Sequence, residues 1–221
     1  MAMPDRKFEG WLASLFGAVL VFTPFAVGNQ LTLTAIGVLF LGFALLFLFR
    51  IRNVADAARE VAYALLAFLY IPFLLMHLVL LRQTPYGVNW LIVLMLIVMT
   101  NDSAAYYTGS AFGKTKLYPL VSPKKSVEGA LGGLVGSMCG TLIAKYTFFP
   151  QLSLVDVFAT ALVIGALGQV GDLFESLLKR SFGVKDSGTI FPGHGGVLDR
   201  LDSILFAAPI TYYYTIYFFK G

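Results

Sequence analysis

The sequence predicts an all-α, polytopic membrane protein, a bundle of about seven transmembrane helices, and three observations carry that prediction. Hydrophobic residues fill 58% of the 221 positions and charged residues only 13%, a balance foreign to soluble domains. The apolar residues are gathered into long runs, each of the roughly 20 residues that a helix needs to cross a hydrocarbon core of about 30 Å with every backbone group paired internally. None of these runs alternates polar and apolar residues as a barrel strand would.

Taken in order, the first run is Trp11 to Gly28, preceded by Arg6 and Lys7, and the second is Leu31 to Phe49, closed by Arg50 and Arg52. The third, Val61 to Leu81, follows Arg59 and stops at Arg82; its His77, alone among apolar neighbours, reads as structural. Val88 to Phe112 and Gly129 to Phe149 make the fourth and fifth, separated by a lysine-rich segment. Val155 to Leu178 and Leu201 to Phe219 make the sixth and seventh, separated by a glycine-rich one. A cleaved signal peptide is a poor account of the first run, since six more follow. The expected organisation is one membrane domain over residues 1–221, with N-terminal helices in 1–87 and the motif-bearing region in 88–221.

Orientation follows from the basic residues. With the N-terminus inside and the C-terminus outside, thirteen of the 16 Lys and Arg face the cytosol and only Arg82, Lys145 and Lys220 face away, as the positive-inside rule requires. The net charge of +4 is scattered over short inter-helix segments, so no nucleic-acid partner is expected. Disorder is excluded by 20 Phe and abundant aliphatics, and a disulfide framework by the single Cys139.

Charges near a helix centre cost about 2.5–3.5 kcal/mol each even on the lenient insertion scale, so each intramembrane acid needs a reason. Asp102 lies inside the fourth run, within Thr100-Asn101-Asp102-Ser103. Asp172, Glu175, Ser176 and Lys179 follow a helical spacing that puts them on one face at the end of the sixth run, and Asp199 and Asp202 share an i, i+3 spacing where the seventh begins. Ion pairing with Lys179, Arg180 and Arg200 would account for single members. The group as a whole leaves excess negative charge that a hard divalent cation would neutralise; Mg²⁺ takes one or two carboxylates together with substrate phosphates.

Between these acids, Gly183, Gly188, Gly193, Gly195 and Gly196 allow a ligand close to the backbone, beside Lys185, Asp186 and His194. Phosphate is the natural guest; His194 could be a phosphate contact or proton donor, although a lone loop histidine is more often neither. The other cytosolic segment, Ser122-Pro123-Lys124-Lys125-Ser126-Val127-Glu128-Gly129, offers Ser126 as an N-cap with paired lysines ahead of a helix start, which is an anion site on structural grounds. A purely topogenic role for the two lysines is the alternative.

The run Ser176-Leu177-Leu178-Lys179-Arg180, Lys185-Asp186, Pro192-Gly193-His194-Gly195-Gly196, Asp199-Arg200-Leu201-Asp202 resembles the signature of the phosphatidate cytidylyltransferases, also called CDP-diacylglycerol synthases. Asn101-Asp102-Ser103-Ala104-Ala105-Tyr106, Gly113-Lys114 and the segment from Ser122 to Gly129 are similar to that family's upstream blocks. The resemblance runs from about Asn101 to Ser203 and leaves the N-terminal part shorter than in family members by about one or two spans. It implies transfer of a cytidylyl group from CTP to phosphatidate, giving CDP-diacylglycerol and diphosphate in phospholipid biosynthesis, with Mg²⁺ as one or two cations. By matching position to position, Asp172 and Asp199 would be the metal ligands, with Asp202 and Asp102 next, and Lys179, Arg180, Lys185 and Arg200 would hold phosphates. Lys124, Lys125, Ser126, Ser176, Asp186, His194, Gly195 and Gly196 complete the expected substrate site.

The expected setting is the cell's inner (cytoplasmic) membrane with the active site facing the cytosol. A homodimer is expected through small-residue helix faces such as Gly129, Gly132, Gly133, Gly136 and Gly140, which would equally suit packing within one chain. Two other functions fit parts of the pattern: a CTP-dependent enzyme acting on an isoprenoid ether-lipid phosphate or a polyprenol, and a transporter. Against the transporter stand the lack of a repeated pair of interrupted helices and a glycine-rich basic segment lying on one side of the bilayer.

Overall fold

The computed structural model describes residues 7–50, 54–188 and 195–221. The chain is helical almost throughout and forms two compact units, residues 1–80 and 81–221. Four helices among the described residues are long and apolar enough to cross a bilayer: Val54–Arg82, Gly87–Phe112, Val127–Thr147 and Leu154–Ser181. This is an integral membrane protein of all-α class.

In the first unit, α1 runs unbroken from Lys7 to Arg50, 44 residues, or about 66 Å at the α-helical rise. The expected first and second spans are therefore one rod, and the turn placed between Gly28 and Leu31 is not made. The reason is local. Asn29 and Gln30 are polar but neither forbids helical backbone, and no proline stands there to remove an amide or force the preceding residue out of the helical region. Counting spans from the N-terminus thus no longer fixes which side it occupies. The next rod comprises α2 (Val54–Phe68), a π-helical turn (Leu69–Phe73) and α3 (Leu74–Arg82). Pro72 lies inside that turn, and a wider turn is one way a helix accommodates a missing amide. The turn packs closely on α1: a Cβ at Gly17 would sit 2.6 Å from Pro72 Cγ. Phe43 and Phe68 stack at 6.2 Å, and Phe16, Val61, Ala64 and Leu65 fill in around Phe43. His77 is 2% exposed, and its Nδ1–H donates to Phe73 O at 2.8 Å, a structural use of the ring.

In the second unit, α4 (Gly87–Phe112) and α5 (Val127–Thr147) form the tightest pair, joined by a two-stranded antiparallel hairpin of β1 (Lys116–Tyr118) and β2 (Ser122–Ser126). Sequence reasoning missed this hairpin. Its strands are short, and Pro123 and the bulge between Lys116 and Tyr118 hide any alternation. Ser126 caps α5 as expected, its Oγ accepting from Gly129 N at 3.1 Å. Glu128, in the first turn of α5, ties that helix start to the segment following α4 by accepting from the amides of Lys114 and Thr115, each at 3.1 Å.

The glycine face of α5 is spent inside the chain. A Cβ at Gly136 would stand 2.4 Å from Thr100 O and one at Gly132 2.1 Å from Thr108 Oγ1, so the absent side chains are what let α4 approach. The expected use of this face in a homodimer is corrected accordingly. Helices α6 (Leu154–Ser181) and α7 (Leu198–Tyr217) close the unit, α6 starting with a capping box between Ser153 and Asp156. At Gly171 a Cβ would lie 2.6 Å from Asp202 O, so α6 and α7 also meet through a glycine, beside the acids.

Candidate active site

Four chain segments bring their polar residues to one end of the second unit. Asp102 comes from α4, Lys124, Lys125 and Ser126 from β2, Asp172 from α6 and Asp202 from α7. Lys125 Nζ contacts Asp172 Oδ2 at 2.5 Å, with 28% and 32% of the two side chains exposed. Both Asp102 and Asp202 feel the negative charge of Asp172, and Asp202 that of Glu175 as well. Three aspartates thus share one neighbourhood in which Lys125 is the cation in direct contact. Asp102, Asp172, Lys124, Lys125 and Ser126 line a pocket of about 450 Å³, whose apolar wall includes Ala105, Tyr106, Leu117 and Ala130. Tyr106 is 71% exposed, so the pocket has an apolar side as well as a charged one.

A buried amide network braces this pocket. Asn101, 3% exposed, donates through Nδ2 to Ser137 Oγ at 2.8 Å and to Gly165 O at 3.3 Å, and its Oδ1 accepts from Gln169 Nε2 at 3.0 Å. Gln169 Nε2 also donates to Ala130 O at 2.9 Å. The backbone carbonyls of Gly165 and Ala130 fix which end of each amide is nitrogen. Asn101 precedes Asp102, and Gln169 lies one turn before Asp172 on the same helix face, so the network pins together the two helices that carry these acids. Gln169 was missed in the sequence because it is uncharged, yet a polar side chain in an apolar span, three residues from an acid, was signal enough to find it. Gln169→Leu is expected to leave the buried Asn101 Oδ1 without its Gln169 donor, Ala130 O keeping its bond within α5, and to lower stability by about 1–3 kcal/mol. Thermal unfolding in detergent checks this, and an unchanged midpoint would count against the brace.

A second cluster lies beside the first. Lys179 Nζ contacts Glu175 Oε2 at 2.5 Å and Asp199 Oδ1 at 2.6 Å. Glu175 is 1% exposed, and the cation beside it is Lys179. Asp199 Oδ2 accepts from Ser187 N at 2.8 Å, Ser187 Oγ at 2.7 Å and Gly196 N at 2.7 Å. Asp199 therefore ties both flanks of the glycine-rich segment to the end of α6. Gly195 has φ +79°, and a Cβ there would come within 2.6 Å of Asp199 Oδ2, so glycine is required on both counts. Burial alone would raise the Asp199 carboxyl. The Lys179 hydrogen bond and the Gly196 and Ser187 donors outweigh it and hold the group far below the usual carboxylate range.

Asp172 and Asp199, expected to share a cation, are thus each held by a lysine of their own. Lys179, expected at a phosphate, spends its charge on two carboxylates, and Arg180 donates to Val184 O at 3.4 Å in the turn that ends α6. Ser176 Oγ lies 3.5 Å from Asp172 Oδ1. Lys185, Asp186 and Arg200 are exposed, and Gly196 is buried. His194 lies outside the described residues. Among the described residues no group of three or more His, Cys, Asp or Glu side chains stands in coordination geometry. The chemistry of the donor set nevertheless suits a hard cation, being all carboxylate, with Asp102, Asp172 and Asp202 within reach of one another's charge.

The sequence profile of the cytidylyltransferase family matches residues 1–218. The chain belongs to that family. Among curated proteins, a phosphatidate cytidylyltransferase of Bacillus subtilis (strain 168) is 39% identical over 155 residues, covering 70% of this chain and 58% of the relative. One of Staphylococcus saprophyticus is 34% identical over 202 residues, 90% of this chain and 76% of the relative. One of Staphylococcus aureus (strain COL) is 44% identical over 124 residues, covering 56% of this chain and 48% of the relative. The chain thus spans from about half to three quarters of the length of these relatives. The pocket joins two lysines and two aspartates to an apolar wall in one cavity.

Proposed function

We propose that the chain transfers the cytidylyl group of CTP to phosphatidate, forming CDP-diacylglycerol and diphosphate. The observation that carries this reading is the pocket itself, in which Lys124, Lys125 and Ser126 of the hairpin meet Asp102 and Asp172 of two membrane helices. Relatives named phosphatidate cytidylyltransferase support the choice of substrates.

A phosphatidate oxygen, already anionic at neutral pH, attacks the α-phosphorus of CTP. The new P–O bond forms as the bond from the α-phosphorus to the bridging oxygen of the β-phosphate breaks, and the electron pair leaves with diphosphate. No general base is required, so the chain contributes alignment and charge stabilisation. The lysines, beside the capped start of α5, face the nucleotide phosphates. Ala105, Tyr106 and Leu117 give the lipid's glycerol end an apolar wall. Asp172, with Asp102 and Asp202 beside it, and Asp199 of the second cluster would hold Mg²⁺, which when bound would neutralise phosphate charge at the reacting centre. Gly195, Gly196, Lys185, Asp186, Arg200 and His194 belong to the segment that would complete the nucleotide side.

The membrane setting in this reading is the cytoplasmic membrane, with the hairpin and residues 179–200 facing the cytosol. Asp186→Cys in a Cys139-free background is expected to react with an impermeant thiol reagent from the cytosolic side only. Labelling from the outside alone would overturn both the topology and the route for CTP. The activity is tested with purified protein in detergent, CTP and phosphatidate, with an isoprenoid ether-lipid phosphate and a polyprenol as rival acceptors. CTP-dependent CDP-diacylglycerol is the expected product, and turnover with a rival acceptor alone would replace phosphatidate in this assignment.

A further inference from the structure

The two lysines that hold the candidate cation ligands differ in how firmly they are themselves held. Lys179 is pinned from two sides, by Glu175 at 2.5 Å and Asp199 at 2.6 Å, and is 17% exposed. If it moved away, Glu175 would be left as a charged carboxylate at 1% exposure with no described cation beside it, which is a heavily penalised state. Lys179 is a fixed counter-charge. Lys125 touches one carboxylate, that of Asp172, and is 28% exposed. It stands on a short hairpin strand rather than in a helix, and the pocket it lines opens the space into which its flexible stem can turn.

We propose that Lys125 is an exchangeable counter-charge: it neutralises Asp172 while no divalent cation is bound, yields the carboxylate to the cation, and turns its ammonium to a nucleotide phosphate. This rests on reading Asp172 as a cation ligand and CTP as the substrate, and adds to it a coupling. Without the exchange, a cation arriving at Asp172 meets a positive charge 2.5 Å from the oxygen it needs. With a nucleotide phosphate present, that charge has a second anion to go to, so each ligand clears the way for the other. Linkage then requires the effect to be reciprocal: the cation tightens nucleotide binding by the factor by which nucleotide tightens cation binding. Lys124, one residue away on the same strand and lining the same pocket, makes no ion pair among the described residues and provides the control.

The test uses Mn²⁺ as the probe, titrated into the full-length protein in detergent without nucleotide or lipid, with free Mn²⁺ read by electron paramagnetic resonance. Lys125→Met is expected to tighten Mn²⁺ binding about tenfold, within the range usual for coupled sites, and Lys124→Met to change it less than about threefold. Binding of a non-hydrolysable CTP analogue, measured at zero and saturating Mn²⁺, is expected to gain less from Mn²⁺ in Lys125→Met than in the unaltered protein. Equal effects of the two lysine substitutions would reduce the result to general charge and overturn the exchange. So would Mn²⁺ affinity unchanged in Lys125→Met. An Asp172→Asn variant separates this from failure of the cation reading: if it binds Mn²⁺ as the unaltered protein does, Asp172 is not a ligand, and both readings fall.

Discussion

Asp172→Asn and Asp199→Asn are each expected to retain folded protein and to lose turnover by at least about a hundredfold, the scale on which removal of a charge stabiliser at a reacting phosphorus acts. Asparagine keeps the shape and one acceptor oxygen, so the loss isolates charge. At Asp172 the substitution removes the anion that sits 2.5 Å from Lys125 and weakens the negative field shared with Asp102 and Asp202. At Asp199 it halves the acceptor capacity that ties Ser187 and Gly196 to Lys179. Both variants are expected to need more Mg²⁺ for whatever activity remains, because each takes one anionic ligand from the cation. A purely structural role predicts a different pattern, a lower unfolding midpoint with the Mg²⁺ response unmoved. Activity assays across a Mg²⁺ titration, beside thermal unfolding of the same preparations, distinguish the two, and near-native turnover with an unaltered Mg²⁺ response would remove that residue from the cation site.

The acids of the site were readable in the sequence because charge inside an apolar run is rare and costly, and that rarity points at Asp102 and Asp172 without any structure. Ser126 was readable as a cap because N-capping is decided by a few adjacent residues. What each charge touches was not readable. The pairing of Lys125 with Asp172 joins a hairpin strand to a helix, and contacts between distant parts of the chain leave no local pattern. The glycines of α5 announced close approach without saying of what, and the structure shows that α4 takes the face. The continuity of α1 across Asn29 and Gln30 was lost for the opposite reason: two polar residues look like a boundary, whereas a helix ends only where its backbone is blocked or better satisfied elsewhere. Asn101 and Gln169 carry no charge, so a search guided by charge passes over Gln169 even though it braces the helices that hold two of the acids.

Lys179→Met is expected to be the most destabilising single substitution of the site, and Glu175→Gln far milder, although the two residues form one ion pair. Removing Lys179 leaves the Glu175 carboxylate at 1% exposure with no compensating charge, a change that typically costs about 3–5 kcal/mol. Asp199 also loses a partner but keeps its donors from Ser187 and Gly196, so most of the cost falls on Glu175. Glu175→Gln instead removes the buried charge and leaves Lys179 bound to Asp199, at 2.6 Å and nearer to water. The double variant Glu175→Gln/Lys179→Met should then recover much of what Lys179→Met loses, because the desolvated anion is gone. Its turnover should still fall short, since Asp199 would no longer be tied to the end of α6. Unfolding midpoints of the three variants in detergent give the order: Lys179→Met lowest, the double variant between, Glu175→Gln nearest the unaltered protein. Equal midpoints for the two single variants would mean that Glu175 is neutral in the folded protein, and Lys179 would then be free to leave Asp199 for a phosphate.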